Sequence, residues 1–213
     1  MKVIILTLAC TFSILTFAQK TSDIFRPTDF EYTYMGIDYS HAKFIGEFSQ
    51  FESAGNVGIS AVKDKYFEGW NGVVKNEKEK YSFKNALRKD QVEYNLSDIT
   101  SINNNTAVEN MEGKALNYSR DDIQGFVNNS AYTIEKGIGI MFIAEYLDKE
   151  KVEACFHFVM VNLASKEILI HERMIGEPRG FGLRNYWISP VYQCLKTIDS
   201  KLYKKWRKEY LVK

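Results

Sequence analysis

Few residues in this chain of 213 are of a type and spacing that could do chemistry. One group is Cys155, His157 and His171. Cys155 and His157 are two apart, so on a strand they point to one face. Matching the apolar faces of the next two strands sets Phe158 opposite Ile170 and therefore His157 opposite His171. Imidazole and thiolate are ligands for zinc or copper. A fourth donor is missing, however, so the group reads as ordinary sheet residues. No metal is assigned, and these three are the only donors from which a site could start.

A second group lies in Gly-Glu-Pro-Arg-Gly-Phe-Gly-Leu-Arg-Asn, residues 176–185, which joins a strand to a helix. Glycine frees the backbone, a helix start offers partial positive charge, and arginine offers full charge. Arg179, Gly180, Gly182, Arg184 and Asn185 are thus the candidate ligand-binding residues, for a carboxylate or phosphate. The third glycine of a dinucleotide fingerprint is absent. The plainer reading is a glycine-rich connection whose arginines pair with Glu172 or Glu177. A third group, Lys196, Lys201, Lys204, Lys205, Arg207 and Lys208, makes the chain's end basic. It reads as a solvated face that complements a helix dipole, with attraction to anionic lipid heads as the alternative.

No serine-hydrolase elbow, zincin helix, Walker loop or calcium loop occurs. No catalytic residue and no cofactor is therefore assigned. The chain reads as a non-enzymatic binding or envelope accessory protein. The alternative is a small hydrolase or transferase acting on an anionic substrate near Arg179, Arg184 and Glu172.

The first residues give an address. Met1-Lys2, an apolar run from Val3 to Phe17 and the small residue Ala18 before Gln19 have the form of a secretory signal peptide. The run is shorter than the roughly 20 residues that a membrane-spanning helix needs, so no span is expected after cleavage. Acylation at Cys10 fits poorly, because the apolar run continues past it. The mature protein is expected in the periplasm or outside the cell. Its partner is expected to be a protein or a small anion of the envelope. A net charge of +1 gives no bulk attraction to nucleic acid, and export argues against it as well. Cleavage leaves Cys155 and Cys194, which are either a disulfide in an oxidising space or two buried thiols.

About 195 mature residues suffice for one domain, and 45% apolar with 14% aromatic content is that of a folded chain. Residues 19–29 read as a loose lead-in and 30–213 as a single domain. Phe30 to Tyr39 alternates as a strand, bulged at Gly36. Residues 47–60 read as a loop or helix start, and Ala61 to Lys80 has helical spacing. Val92, Tyr94 and Leu96 alternate as a strand, ended by a turn at Asn103-Asn104-Asn105. Ser119 and Asp122 form a capping box before a helix carrying Ile123, Phe126 and Val127, stopped by Gly137.

Residues 138–147, 152–161 and 167–175 read as an antiparallel three-strand meander. A two-residue turn at Lys149-Glu150 would pair Met141 and Ile143 with Phe158 and Phe156. The other face is also apolar, so either helices cover both faces or a partner, such as a second copy, covers one. A stripe from Trp187 through Val191, Leu195, Ile198 and Leu202 to Trp206 marks a long last helix. The expected fold is α+β in two layers, in the order β-α-β-α-β-β-β-α.

That order, with the strand-turn-strand Phe158-Val159-Met160-Val161-Asn162-Leu163-Ala164-Ser165-Lys166-Glu167-Ile168-Leu169, resembles small periplasmic domains of curli-secretion and Tol-associated envelope lipoproteins. The resemblance is one of topology. It implies an accessory role in the envelope and carries no catalytic residue.

The exported protein is expected to begin at Gln19, which intact-mass measurement decides. A lipid-modified chain beginning at Cys10, or an uncut Met1, would overturn this.

Overall fold

In the computed structural model, residues 20–26, 30–48 and 58–211 are described. The expected signal peptide with its expected cleavage site, and Cys10, lie outside the described residues, as does most of 47–60.

Strand β4 (Ile138–Asp148) is the axis of the molecule. All eleven of its residues are buried, which suits a near-continuous apolar run sandwiched on both faces. Strand β1 (Tyr32–Asp38) pairs with it in parallel on one side, and β2 (Lys43–Ile45) continues along that same side. On the other side β5 (Glu153–Asn162) and then β6 (Ile168–Gly176) follow in antiparallel fashion. A two-residue β3 (Glu93–Tyr94) pairs in parallel with the start of β1.

The helices are α1 (59–76), α2 (Phe83–Ala86), α3 (Ser97–Asn104), α4 (Arg120–Asn129) and α5 (182–211). The α+β class, the meander and the long C-terminal helix are as expected. The expected two layers are three, because both faces of β4 and β5 are apolar and both are covered by helices. On one face Phe142, Phe156 and Phe158 meet Trp70 of α1 and Trp187, Val191 and Trp206 of α5. On the other, Met141, Ile143, Val159 and Val161 meet Ile99 of α3 with Ile123 and Val127 of α4.

Local chemistry explains the helix ends and bends. At the start of α4 the Ser119 hydroxyl accepts from the Asp122 backbone N–H, and the Asp122 carboxylate accepts from the Ser119 backbone N–H, as the capping box predicts. Pro190 lies inside α5 and has no N–H for the Tyr186 carbonyl four residues back. The Ser189 hydroxyl donates to that carbonyl instead, at 2.9 Å. Gly176 closes β6 against Pro190, where a Cβ would come within 2.8 Å of the proline ring. Residues 21–25, read as a loose lead-in, form a 3-10 turn that sends Ile24 and Phe25 into the core.

Among the described residues, no strand lies beside the outer edge of β1 beyond Tyr34. Two buried asparagines take that place. Asn71 of α1 accepts from Ile37 N at 2.6 Å and donates to Ile37 O at 3.0 Å. Asn103 of α3 accepts from Tyr39 N at 2.8 Å and donates to Ile37 O at 2.9 Å. This satisfies a buried edge that would otherwise hold unpaired backbone groups.

Several elements differ from expectation. Asn103 and Asn104 end helix α3 rather than a strand, and the strand near Val92 shrinks to β3. The β4–β5 connection spans residues 149–152, so Phe142 sits opposite Phe158 and Met141 opposite Val159. The β5–β6 register puts Ile170 opposite Met160, with Glu172 opposite Phe158. A bulge at Leu169 moves Ile168 to the other face from Ile170.

Phe158 is fully buried, stacked on Trp206 at 5.7 Å and edge-on to Phe142 at 5.4 Å. Phe158→Ala should cost about 3–5 kcal/mol of unfolding free energy in a urea titration. A loss under about 1 kcal/mol, the range of surface changes, would refute this face assignment.

Candidate functional site

The densest polar group in the interior lies on the α4 side of the sheet. The β4–β5 register shifts between Ala144 and Tyr146, leaving Glu145 without a ladder partner. A bulge of this kind re-aims a side chain, and here it sets the Glu145 carboxylate beside His157 of β5 and Arg173 of β6. Glu145 and His157 are both fully buried.

Every part of that carboxylate is occupied. Oε2 meets His157 Nε2 at 2.9 Å and accepts from Arg173 Nε at 2.7 Å. The Cys155 thiol approaches the same oxygen at 3.5 Å. Oε1 accepts from Arg173 Nη2 at 2.9 Å and from the Asn117 backbone N–H at 3.1 Å. Asn117 sits in the left-handed region, with φ 53°, and its side-chain oxygen also accepts from Arg173 at 3.2 Å. The fork of an arginine fits a carboxylate through two parallel bonds.

Proton positions follow from chemistry. An ionised carboxylate can only accept, so His157 Nε2 donates to it. His157 Nδ1 and His171 Nε2 lie 2.8 Å apart and share one proton. The two imidazoles lie nearly parallel, with ring centroids 5.1 Å apart. The result is a continuous chain from His171 through His157 to Glu145. Burial alone would raise the Glu145 carboxyl. Hydrogen bonds from His157 and Arg173, with the Arg173 charge, outweigh burial and bring it down to about 2. Burial, together with the neighbouring His157 and Arg120, pulls His171 down to about 4. Burial and the adjacent Glu145 raise the Cys155 thiol, keeping it protonated and a poor nucleophile. Cys194 is also a buried free thiol, and burial pushes it up to about 12.

The sequence placed His157 and His171 on one face, and there they meet. They are not cross-strand partners: Arg173 lies opposite His157 and His171 lies opposite Val159, so the imidazoles touch diagonally. Cys155 joins them through Glu145. Among the described residues no three or more His, Cys, Asp or Glu are arranged to hold a metal ion. Arg173 also occupies the side of Glu145 where a cation would sit. Glu145 and Arg173 were missed. The available signal was a lone carboxylate inside the apolar run 138–147, since such a group is rarely buried without a partner.

In the segment 176–185, Glu177, Arg179, Gly180, Phe181, Arg184 and Asn185 are exposed, while Gly176, Pro178 and Leu183 are buried. Arg179 is paired with Glu177 at 2.8 Å, and its backbone N–H donates to Ser189 Oγ at 2.6 Å. Gly180 and Gly182 take φ of 111° and 76°, a region that favours glycine. Phe181 between them is 90% exposed. Arg184 and Asn185 are exposed in the first turn of α5. Glu172 does not join this segment. It accepts from Trp206 Nε1 at 3.1 Å and pairs with Lys205 at 3.5 Å.

No family model, curated protein or solved structure matches this chain. Among the described residues no helix is long and apolar enough to cross a membrane.

The network makes stability depend on pH. Folded His171 holds its proton less readily than unfolded His171. As pH falls from its ordinary 6.5 toward about 4, protons favour the unfolded chain and stability drops. Glu145, whose ordinary value is 4.5, extends that loss toward about 2. The urea midpoint should therefore fall steadily from pH 7 to pH 4. His171→Gln, which keeps a hydrogen-bonding group for His157, should flatten the upper part and leave the lower limb. An unchanged upper slope would show that His171 is not the titrating group.

Proposed function

We propose that this chain is an exported, non-enzymatic binding or envelope accessory protein, periplasmic or secreted, which works through a protein or small-anion partner. The observation that carries the reading is the saturation of Glu145. A catalytic carboxylate or imidazole needs a free position for substrate or proton. Here the carboxylate takes four nitrogen donors and a thiol, and both nitrogens of His157 are consumed. The one nucleophile of the group, Cys155, is fully buried. What remains is a tie between three strands.

Export is supported by the Met1–Ala18 pattern, and the absence of nucleic-acid partners follows from export and near-neutral charge. An enzyme at residues 176–185 has less support. Arg179 is neutralised by Glu177, and Glu172 is engaged elsewhere with Trp206.

The test uses purified mature protein and chromogenic ester, phosphate-ester and glycoside substrates, beside the variants Glu145→Gln and His171→Gln. No turnover above background is expected from any form. Turnover by the wild type that either variant abolishes would make the network an active site and overturn the proposal.

A further inference from the structure

Another part of the surface gathers positive charge in a cleft. A cleft of about 600 Å3 opens where the 3-10 turn, the start of β1, the end of α2 and the end of α5 meet. Among the described residues Arg26, Arg88, Lys89 and Arg207 line it, against a single acid, Asp90. Four separate stretches of chain thus bring four cations to one cleft, in a protein whose whole net charge is +1. A solvated basic helix face would spread its charges apart; this arrangement crowds them into a concavity.

The cations differ in how far they are already engaged. Arg88, held by a left-handed backbone with φ 51°, donates to Asp199 O at 2.9 Å and pairs with its carboxylate at 3.1 Å. Its guanidinium lies over the Tyr203 ring, 4.6 Å from the centroid. Lys89 reaches the Ile24 carbonyl and the Tyr32 ring, at 4.5 Å from the centroid, and has no ion pair among the described residues. Burial pulls its ammonium down to about 8 despite Asp90 nearby. The protein therefore holds a half-buried cation without a carboxylate contact, a cost that an anion in the cleft would offset. Arg26 and Arg207 are exposed at the rim, and their side chains make no hydrogen bond or ion pair among the described residues.

We infer that this cleft binds a phosphate monoester, with Arg26 and Arg207 as the forks that grip it and Lys89 as the charge at its floor. A phosphate monoester carries nearly two negative charges near pH 7 and three acceptor oxygens. It matches two free guanidinium groups with an ammonium behind them better than a single carboxylate does, and arginine forks suit its oxygens. Phe30, half-buried in the lining, offers an apolar contact to the group that carries the phosphate. That group is either part of a soluble compound or the headgroup of an anionic lipid. The inference extends the reading of the chain as a binding protein and does not need the 176–185 segment.

The test compares mature wild-type protein with Arg26→Gln/Arg207→Gln, whose lost groups bond nothing in the described fold, and with Arg179→Gln/Arg184→Gln. Binding of inorganic phosphate and of a nucleoside monophosphate is measured by calorimetry at low and high salt. Sedimentation with phosphatidylglycerol vesicles and with vesicles bearing a phosphatidic acid headgroup covers the lipid source. The expected result is binding that the cleft variant weakens at least tenfold, that the 179/184 variant leaves within twofold, and that salt weakens. Binding of the soluble phosphates or of phosphatidic acid vesicles supports the cleft and names the source. Equal affinity of wild type and cleft variant for every probe, or no binding of any, overturns it. Hydrolysis of the bound ester would instead sink the non-enzymatic reading while leaving the site intact.

Discussion

A carboxylate at the middle of a central strand cannot be left alone. Moving an ion out of water costs several kcal/mol even after relaxation, and a single partner with imperfect geometry does not recover it. Glu145 therefore constrains its surroundings. It needs a cation within reach, further donors for its remaining lone pairs, and a backbone that points it toward them. Arg173, His157 and Asn117 meet the first two needs, and the break in register at Glu145 meets the third. Because those partners stand on β5, β6 and the lead-in to α4, the same charge fixes how three elements align. A slip of β6 by one residue would turn Arg173 to the opposite face and leave the carboxylate bare. Buried polar groups are weak sources of stability and are sometimes kept because they select one arrangement; in this sheet the arrangement selected is the register.

The burial of β4 on both faces sets the remaining architecture. A strand without a wet face needs a layer of helices above and below, and a covered sheet needs its edges satisfied without water. At β6 the edge stays partly open. At β1 it is closed by Asn71 and Asn103, each giving one acceptor and at least one donor to the backbone. An amide side chain is suited to this task because it carries the same two groups as a peptide unit. Gly36 belongs to the same device. A Cβ there would stand 2.9 Å from the Asn71 side-chain oxygen, and its φ of 123° is one that side chains rarely adopt.

How much of this could be read from sequence depended on whether a signal was local. The stripe from Trp187 to Trp206 and the Ser119–Asp122 box are local, and helices α5 and α4 appeared where those signals lie. The three apolar runs gave three strands. Register was not local. It depended on connections of residues 149–152 and 163–167 and on breaks at Glu145 and Leu169, each of which flips the parity that the alternation argument relies on. Helix α3 was lost because Asn103 and Asn104 favour turns on their own; only the unpaired edge of β1 gives Asn103 a reason to be helical. At the candidate site, His157 and His171 were legible because alternation puts both on one face. Their link to Glu145 was not, since a two-residue turn at Lys149-Glu150 pairs Ile143 with Phe156 and so puts Glu145 on the face away from His157, whereas the longer connection pairs Ile143 with His157.

The two charged regions of the molecule are opposites in one respect that bears on function. Around Glu145, charge is buried, every acceptor has a donor, and geometry is closed by contacts from several elements. Such an arrangement has little to gain from a ligand, because any new partner must first displace a good one. Around Arg26 and Arg207 the balance is reversed: the packing of Phe25 on Tyr203 and Tyr210 brings both stretches of chain to one cleft, and among the described residues neither guanidinium has a partner. The aromatic contacts hold the two stretches of chain in place, so the fold keeps a basic concavity to which the proposed anion would bring the missing partners. The proposed binding function rests on that asymmetry, between a network closed around Glu145 and a concave patch of the surface whose rim arginines are free.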